Sequence, residues 1–259
     1  MPPLREEARS RELLREMSFL EHLDDLRGVL IRSLVALLVT AAVAWFLSDR
    51  ILDFLVADLP VEQLNFFAPS EAFMVRLKLS LVVGAMSAFP FIFYQVWAFV
   101  APALFDKERG RVLPLMVTST VLFYTGIAFC YVVLIPVVLE FLLGFATERL
   151  NPVLSVGAYF AMVARLSFTF GLVFQLPIVV LALSAAGIVT PGLLLRSWRW
   201  AIVIIFVAAA ILTPPDPVSQ VLMALPVVLL YIGSVLVAHI VVKRKGKEED
   251  AEADEPPAE

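Results

Sequence analysis

Two carboxylates in the polar segments of this chain have the chemistry to bind a cationic ligand. Asp25 precedes a long apolar run, and Glu108 lies in a charged stretch between two others. A guanidinium group pairs with a carboxylate through two parallel hydrogen bonds, so two carboxylates beside an apolar surface suit a ligand with two arginines and an adjoining hydrophobic stretch. Glu21 and Asp24 are acidic neighbours of the first carboxylate. Residue types alone favour a simpler interpretation, in which these acids are solvated on an interfacial helix and in a charged loop.

Three further polar residues, Arg165, Gln175 and Gln220, lie within apolar runs. A cation inside a membrane span indicates function by default, and Arg165 with Gln175 suggests a small-solute or ion-coupled transporter as an alternative function. The two are ten residues apart, about 15 Å along a helix, so they do not pair directly. In the simpler interpretation Arg165 extends to the interface, and Gln175 hydrogen-bonds across a helix interface.

The sequence contains no set of residues for catalysis or for a cofactor. The H-E-x-x-H, G-x-S-x-G and P-loop patterns are absent, and the single cysteine, Cys130, lies inside an apolar run. The sequence therefore predicts neither an enzyme nor a metal or cofactor site.

The elements that must position these residues are membrane helices. Of the 259 residues 61% are hydrophobic and 17% charged, and the mean hydropathy is +0.90. A span of about 20 apolar residues crosses the hydrocarbon core. The sequence predicts six spans, at about residues 29–47, 79–100, 112–139, 159–183, 193–212 and 218–242.

The fifth predicted span is short and forms a hairpin with the sixth. Pro214 and Pro215 cannot continue a helix, and Asp216 before Pro217 is a favourable start for the next one. Thr190 before a proline predicts the start of the fifth helix in the same way.

The distribution of lysine and arginine predicts the orientation. With the N-terminus inside, the inside segments hold 14 of these 20 residues, the outside segments hold 4, and Arg32 and Arg165 lie within spans. Both termini are then cytoplasmic, and Asp25 and Glu108 share one face of the membrane. Residues 1–27 are predicted to be a cytoplasmic amphipathic segment, and residues 243–259 a disordered cytoplasmic tail.

Prolines at five positions within the spans indicate an irregular bundle. They stand at positions 90, 114, 136, 177 and 226, where each removes a helix hydrogen bond. The predicted fold class is an all-α membrane protein, with six spans, several of them kinked, in a concave bundle.

Four motifs, in order on this frame, resemble the TatC family, the receptor subunit of the twin-arginine protein translocase. The resemblance covers about residues 19–243. The motifs are HLDDLR at 22–27, YQVWAFVAPAL at 94–104, FGLVFQLP at 170–177, and LTPPD at 212–216 followed by SQ at 219–220.

The resemblance implies a receptor in the bacterial cytoplasmic (inner) membrane. Proteins of this family bind the twin-arginine signal peptides of folded precursors, dock the single-span partners TatA and TatB, and work in a larger complex driven by the proton motive force. It implies that Asp25 and Glu108 contact the arginine pair, that Arg27 and Arg109 order this surface, and that Phe99 supports it.

The resemblance also implies partner-facing residues. Gln175 and the hairpin of spans five and six, with Gln220, would face the partner helices, and Asp216 would shape the outer turn. The chain departs from the family pattern twice, because glutamate is usual where Asp25 stands and frequent where Gln175 stands. The shorter acid implies that Asp24 or Glu21 shares the arginine contact, and the amide cannot titrate.

Overall fold

The structure is a computed structural model that describes residues 3–57, 64–104, 112–145, 154–213 and 216–253. Within these ranges the chain is helical apart from turns and one isolated parallel bridge between Asn65 and Ser155. The predicted all-α membrane class is confirmed. Glu108, Arg109, Pro214 and Pro215 lie outside the described residues.

The helices follow one another with short connections. They are α1 (Pro3–Phe46), α2 (Ser48–Val56), α3 (Glu71–Leu104), α4 (Val112–Phe129), α5 (Ile135–Leu143), α6 (Val156–Val173), α7 (Leu176–Ala185), α8 (Pro191–Arg196), α9 (Trp198–Leu212) and α10 (Pro217–Ala253).

Five stretches are long and apolar enough to cross a membrane, and a sixth helix is shorter. The five are Leu23–Phe46, Glu71–Val100, Leu113–Leu143, Val156–Ala185 and Pro217–Ile240, and the shorter one is α9. Each overlaps one predicted span. The predicted fifth span, 193–212, is divided at Ser197 into α8 and α9.

Local chemistry accounts for two helix starts in the second half of the chain. The Thr190 hydroxyl accepts a hydrogen bond from the Leu193 N–H at 3.3 Å, and α8 begins at the next residue, Pro191. Asp216 Oδ1 accepts from the Ser219 N–H at 2.7 Å, and α10 begins at Pro217. Both follow the predicted pattern of a polar cap before proline.

Two spans are interrupted close to a proline. A π-helical segment, Cys130–Leu134, joins α4 to α5 just before Pro136, and Gln175 lies between α6 and α7, two residues before Pro177. Pro226 lies inside α10 without a break. The kinking and the concave shape of the bundle stay predictions.

The packing of α1 against α3 is the most extensive between two helices. Thr40 Oγ1 donates to the Gly84 carbonyl at 2.8 Å, and Gly84 is buried against the backbone of Ala41. Just beyond the end of α1, Asp49 of α2 is ion-paired with Arg76 of α3. Helices α1 and α3 are therefore antiparallel, and the small residues let their backbones come close, as is typical of membrane helix pairs.

The remaining spans pack against one another beyond the α1–α3 pair. Helix α3 contacts α4 and α6, α7 contacts α10, and α10 contacts α9. Gly126 lies against the Phe170 carbonyl and Gly171 against the Phe123 ring, so α4 and α6 also approach closely. Helices α1 and α9 form the two edges of this arrangement.

We name the two ends of the bundle by what they carry. The loop end holds α2, residues 64–70 and residues 154–157. The terminal end is the opposite one, and holds the start of the first span at Leu23, the end of α3 at Leu104 and the start of α4.

The predicted disorder of residues 243–259 stays a prediction, and the structure describes the first part of this segment as the end of α10. Helix α10 continues to Ala253, because the segment is rich in lysine, glutamate and alanine, which are strong helix formers. The last six residues lie outside the described ranges.

Candidate functional site

Asp25 is an exposed carboxylate on α1, near the start of the first span. Its neighbour Asp24 pairs with Arg27 at 3.9 Å, and both of those side chains are largely exposed. Such a surface pair contributes little stability, about 0–1 kcal/mol, but it occupies the Asp24 carboxylate. Within the described part of the chain Asp25 has no ion-pair partner. Glu21 lies one turn earlier in the same helix, and its side chain is outside the description.

Phe99 lies level with Asp25 along the bundle. The contact between Thr40 and Gly84 fixes the register of the antiparallel pair α1 and α3. Asp25 is fifteen residues from Thr40 towards the terminal end, and Phe99 is fifteen residues from Gly84 in the same direction, about 22 Å in each case. Phe99 is half-buried. The structure thus brings an exposed acid and an aromatic ring to one level of the terminal end.

Glu108 and Arg109 belong to residues 105–111, which are not described. The helix ends that they connect are described: α3 ends at Leu104 and α4 begins at Val112, both at the terminal end. These two helix ends lie at the end of the bundle where Asp25 lies.

Gln175 lies between three spans and not on their outer surface. Its Nε2 donates to the Ser119 carbonyl of α4 at 3.0 Å, and the Trp97 Nε1 of α3 donates to the Ser119 hydroxyl at 2.9 Å. All three residues are buried. Gln175 Oε1 has no hydrogen-bond partner. Of the two interpretations that the sequence leaves open, this geometry favours the cross-helix hydrogen bond.

The other two intramembrane polar residues lie on different helices and have different surroundings. Arg165 is exposed on α6. Gln220 lies on α10, and its Nε2 donates to the Phe206 carbonyl of α9 at 2.9 Å. The structure therefore does not join Arg165, Gln175 and Gln220 into one polar site.

The hairpin of α9 and α10 carries unpaired polar atoms at its tip. Asp216 Oδ1 caps α10, while Asp216 Oδ2 and the Ser219 hydroxyl are buried without a hydrogen-bond partner. The Thr213 hydroxyl donates to the Ala209 carbonyl at 2.9 Å. Unpaired buried oxygens are uncommon, and each costs about 1–3 kcal/mol unless a further molecule supplies a partner.

Sequence reasoning missed Glu71, which binds two loops together at the loop end. Its carboxylate accepts hydrogen bonds from the Phe67 N–H and the Gly157 N–H, each at 2.7 Å, and from the Ser155 hydroxyl. Beside it, the Asn65 N–H donates to the Leu154 carbonyl at 3.0 Å. We call these contacts the Glu71 clamp. An acid at the start of a span was the only sequence signal, since its partners come from two distant segments.

The Glu71 clamp gives a first prediction, for the variant Glu71→Gln. A carboxylate has two accepting oxygens and an amide has one, so the variant loses at least one of the three hydrogen bonds. We expect faster proteolytic cleavage within residues 58–70 and 146–155 in detergent-solubilised protein. The matched control is Glu140→Gln, which makes the same change at an exposed position. Equal cleavage of both variants and the unaltered protein would contradict the clamp.

The fold defines a multi-pass, all-α membrane protein. Among the described residues no group of three or more His, Cys, Asp or Glu could hold a metal ion. The polar groups instead lie at helix starts, between spans and at one exposed end.

Comparison with known proteins gives the family. The model of the family described as "Sec-independent protein translocase protein (TatC)" matches residues 21–226. The chain is 37% identical over 257 residues to TatC of Koribacter versatilis, covering 95% of this chain and 94% of that one. It is 37% identical to TatC of Aquifex aeolicus, covering 88% and 98%.

A solved structure agrees with the sequence relatives. The crystal structure of a twin-arginine translocase receptor, TatC, superposes with a TM-score of 0.79 at 36% identity, covering 85% of this chain and 99% of that one. The chain belongs to the TatC family of protein translocase components. The predicted resemblance is confirmed, and the family's activity is protein transport and not solute transport.

Proposed function

We propose that this chain is the receptor subunit of a twin-arginine translocase in a bacterial cytoplasmic membrane. It binds the twin-arginine signal peptides of folded precursors on the cytoplasmic face, at the terminal end of its bundle. The observation that carries the proposal is Asp25, an exposed and unpaired carboxylate level with the Phe99 ring. The solved relative is itself named a twin-arginine translocase receptor.

Two carboxylates would bind the two arginines. Asp25 and Glu108 each accept a bidentate guanidinium contact, and the two helix ends that flank the segment of Glu108 lie at the same end of the bundle as Asp25. Arg27 is engaged by Asp24, so in the free receptor it does not compete for Asp25. Arg109 orders the segment that contains Glu108. Asp24 and Glu21 share the contact when the peptide shifts along α1.

The apolar part of the signal peptide then lies along the membrane-facing surface. Phe99 supports the site from α3, and the exposed apolar side chains of α1 begin directly after the acidic segment, at Leu30 and Ile31. A ligand that carries arginines followed by a hydrophobic stretch meets both features in the same order. With both termini cytoplasmic, this order directs the hydrophobic stretch into the bilayer.

Site-specific photocrosslinking tests this function in membrane vesicles. A photoreactive residue in place of Leu26, or of Lys107, is expected to form an adduct with a twin-arginine precursor. Replacing both arginines of the precursor by lysine should abolish the adduct, because lysine keeps the charge but not the bidentate geometry. The same photoreactive residue in place of Phe145, exposed at the loop end, is the control. Equal adducts from all three positions would contradict the proposal.

The hairpin of α9 and α10 docks the single-span partners, TatA and TatB. Helix α9 is an edge of the bundle with exposed apolar residues, among them Ile204 and Ile211. Gln220 lies in the same hairpin, where its side chain donates a hydrogen bond to the Phe206 carbonyl.

Cysteine crosslinking tests the docking surface. A cysteine in place of Ile204 or Ile211 is expected to crosslink to a matching cysteine in the span of a TatB-type partner, in vesicles that contain the complete complex. Leu38 of α1 is the control position, because it is apolar and exposed at the opposite edge. Crosslinking of the same yield at Leu38 would count against docking at α9.

A further inference from the structure

An apolar cavity opens between α3 and α6 near the loop end. Its volume is about 120 Å³, and its walls are Val75, Leu79, Phe160, Ala161 and other small or apolar side chains. An apolar cavity of about this size can hold a small hydrocarbon group. Lys78 and Glu71 line it as well, so the cavity is apolar within and carries one cation and one carboxylate at its rim. The carboxylate is already engaged by the three donors of the Glu71 clamp.

A second cation lies at the level of Lys78. Glu71 accepts from the Gly157 N–H, which sets the register of α3 and α6. On these parallel helices, Lys78 is seven residues after Glu71, and Ala164 is seven residues after Gly157. Arg165 directly follows Ala164. Arg165 is also four residues after the cavity residue Ala161, so it lies on the same face of α6.

The two cations have no carboxylate partner among the described residues. Lys78 and Arg165 are both exposed, and neither has an ion pair within the part of the chain that is described. Glu71, the nearest acid on α3, is two turns closer to the loop end and is held by three donors. An unpaired charge inside a span is costly, so these two charges need an anion or water.

The backbones of Lys78 and Arg165 lie a short distance inside the hydrocarbon boundary, from which their long side chains can reach the phosphate layer. The span Glu71–Val100 has 30 residues, about 45 Å, against about 30 Å of hydrocarbon. A centred span extends about 7 Å beyond the hydrocarbon at each end. Lys78 lies about 10 Å from the first residue, within reach of the boundary for a long side chain.

We propose that Lys78, Arg165 and the cavity form a binding site for one anionic phospholipid of the leaflet at the loop end. The lipid phosphate lies between the two cations, and part of one acyl chain enters the cavity. Charge complementarity and the apolar walls together favour a lipid over a free anion. The site is at the opposite end of the bundle from the proposed receptor surface, so it does not depend on that function.

Native mass spectrometry of the full chain, released from nanodiscs of phosphatidylglycerol and phosphatidylcholine, tests the site. We expect one retained phosphatidylglycerol, preferred at least tenfold over phosphatidylcholine. Lys78→Gln and Arg165→Gln should each lower this preference at least threefold, and the double variant should abolish it. Arg50→Gln removes an exposed cation elsewhere at the loop end and should leave the preference unchanged.

A second set of variants separates charge from shape and folding. Ala161→Leu fills the cavity without changing the charge and should also lower lipid retention, whereas Arg165→Lys should keep most of it. If a glutamine variant unfolds at a different temperature from the unaltered protein, its lipid preference is left out. The comparison of lipid retention then uses Arg165→Lys and Ala161→Leu.

Three results would overturn the proposal. One is equal retention of the two lipids by the unaltered chain. Another is that Ala161→Leu and the double variant keep the preference for phosphatidylglycerol but lose a co-purified partner helix. The third is displacement of the lipid by millimolar inorganic phosphate, which would identify a free-anion site.

Discussion

Glu108→Gln is expected to abolish the binding of twin-arginine precursors while leaving membrane insertion intact. The glutamine has nearly the same shape but no charge and only one accepting oxygen, so the bidentate contact with a guanidinium is lost. Removing one partner of a close charge pair costs about 3 kcal/mol, which is roughly a hundredfold in affinity. The measurement is precursor binding to membrane vesicles, by crosslinking yield over a range of precursor concentrations.

Two comparisons make the Glu108→Gln result specific. Glu140→Gln makes the same chemical change at an exposed position on another helix and should bind precursor normally. Asp25→Asn should weaken binding as well, because each acid contacts one arginine in the proposal. Normal precursor binding by the Glu108→Gln protein, at normal membrane levels, would refute the proposed receptor site.

Gly84→Leu is expected to have the largest effect on stability. A Cβ atom at this position would lie 2.5 Å from both the Cα and the N of Ala41, which is backbone that cannot move aside on its own. The variant must separate α1 from α3 and also lose the hydrogen bond from Thr40 to the Gly84 carbonyl. Overpacking of this kind costs about 3 kcal/mol, which lowers the melting temperature by about 10 °C.

Gly233 supplies the matched control for Gly84. It is also a glycine within a membrane span, in α10, but a Cβ atom there would meet nothing within 4 Å. Gly233→Leu should therefore melt close to the unaltered protein, and Gly84→Ala should lie between the two leucine variants. Melting is followed by circular dichroism in detergent. Identical melting of Gly84→Leu and Gly233→Leu would show that the α1–α3 contact is looser than described.

The spans and the helix starts could be predicted because their causes are local. Apolar runs of sufficient length specify the spans, and Thr190 and Asp216 are caps whose effect needs only the next few residues. The short fifth span was also visible in the sequence, since the prolines after Leu212 end it. The division at Ser197 was not, because no breaker residue marks it.

The pairing of helices could not be predicted, because it depends on contacts between distant segments. Nothing in the sequence indicates that Gly84 faces Ala41, although this contact sets the level of Asp25 relative to Phe99. The Glu71 clamp joins positions 86 residues apart. The partner of Gln175 is the backbone carbonyl of Ser119, and a backbone acceptor leaves no trace in the sequence.

The candidate site was predictable in its chemistry but not in its arrangement. Acids beside an apolar run identified Asp25 and Glu108, and the charge distribution predicted that they share a face. The pairing of Asp24 with Arg27, while Asp25 has no ion-pair partner among the described residues, required the structure.

The Glu71 clamp has a mechanical consequence. It fastens the segment before α3 to the segment before α6, so a pull on either loop is transmitted to both helices at once. The terminal end has no such fastening among the described residues. We therefore expect α3 and α6 to move together at the loop end.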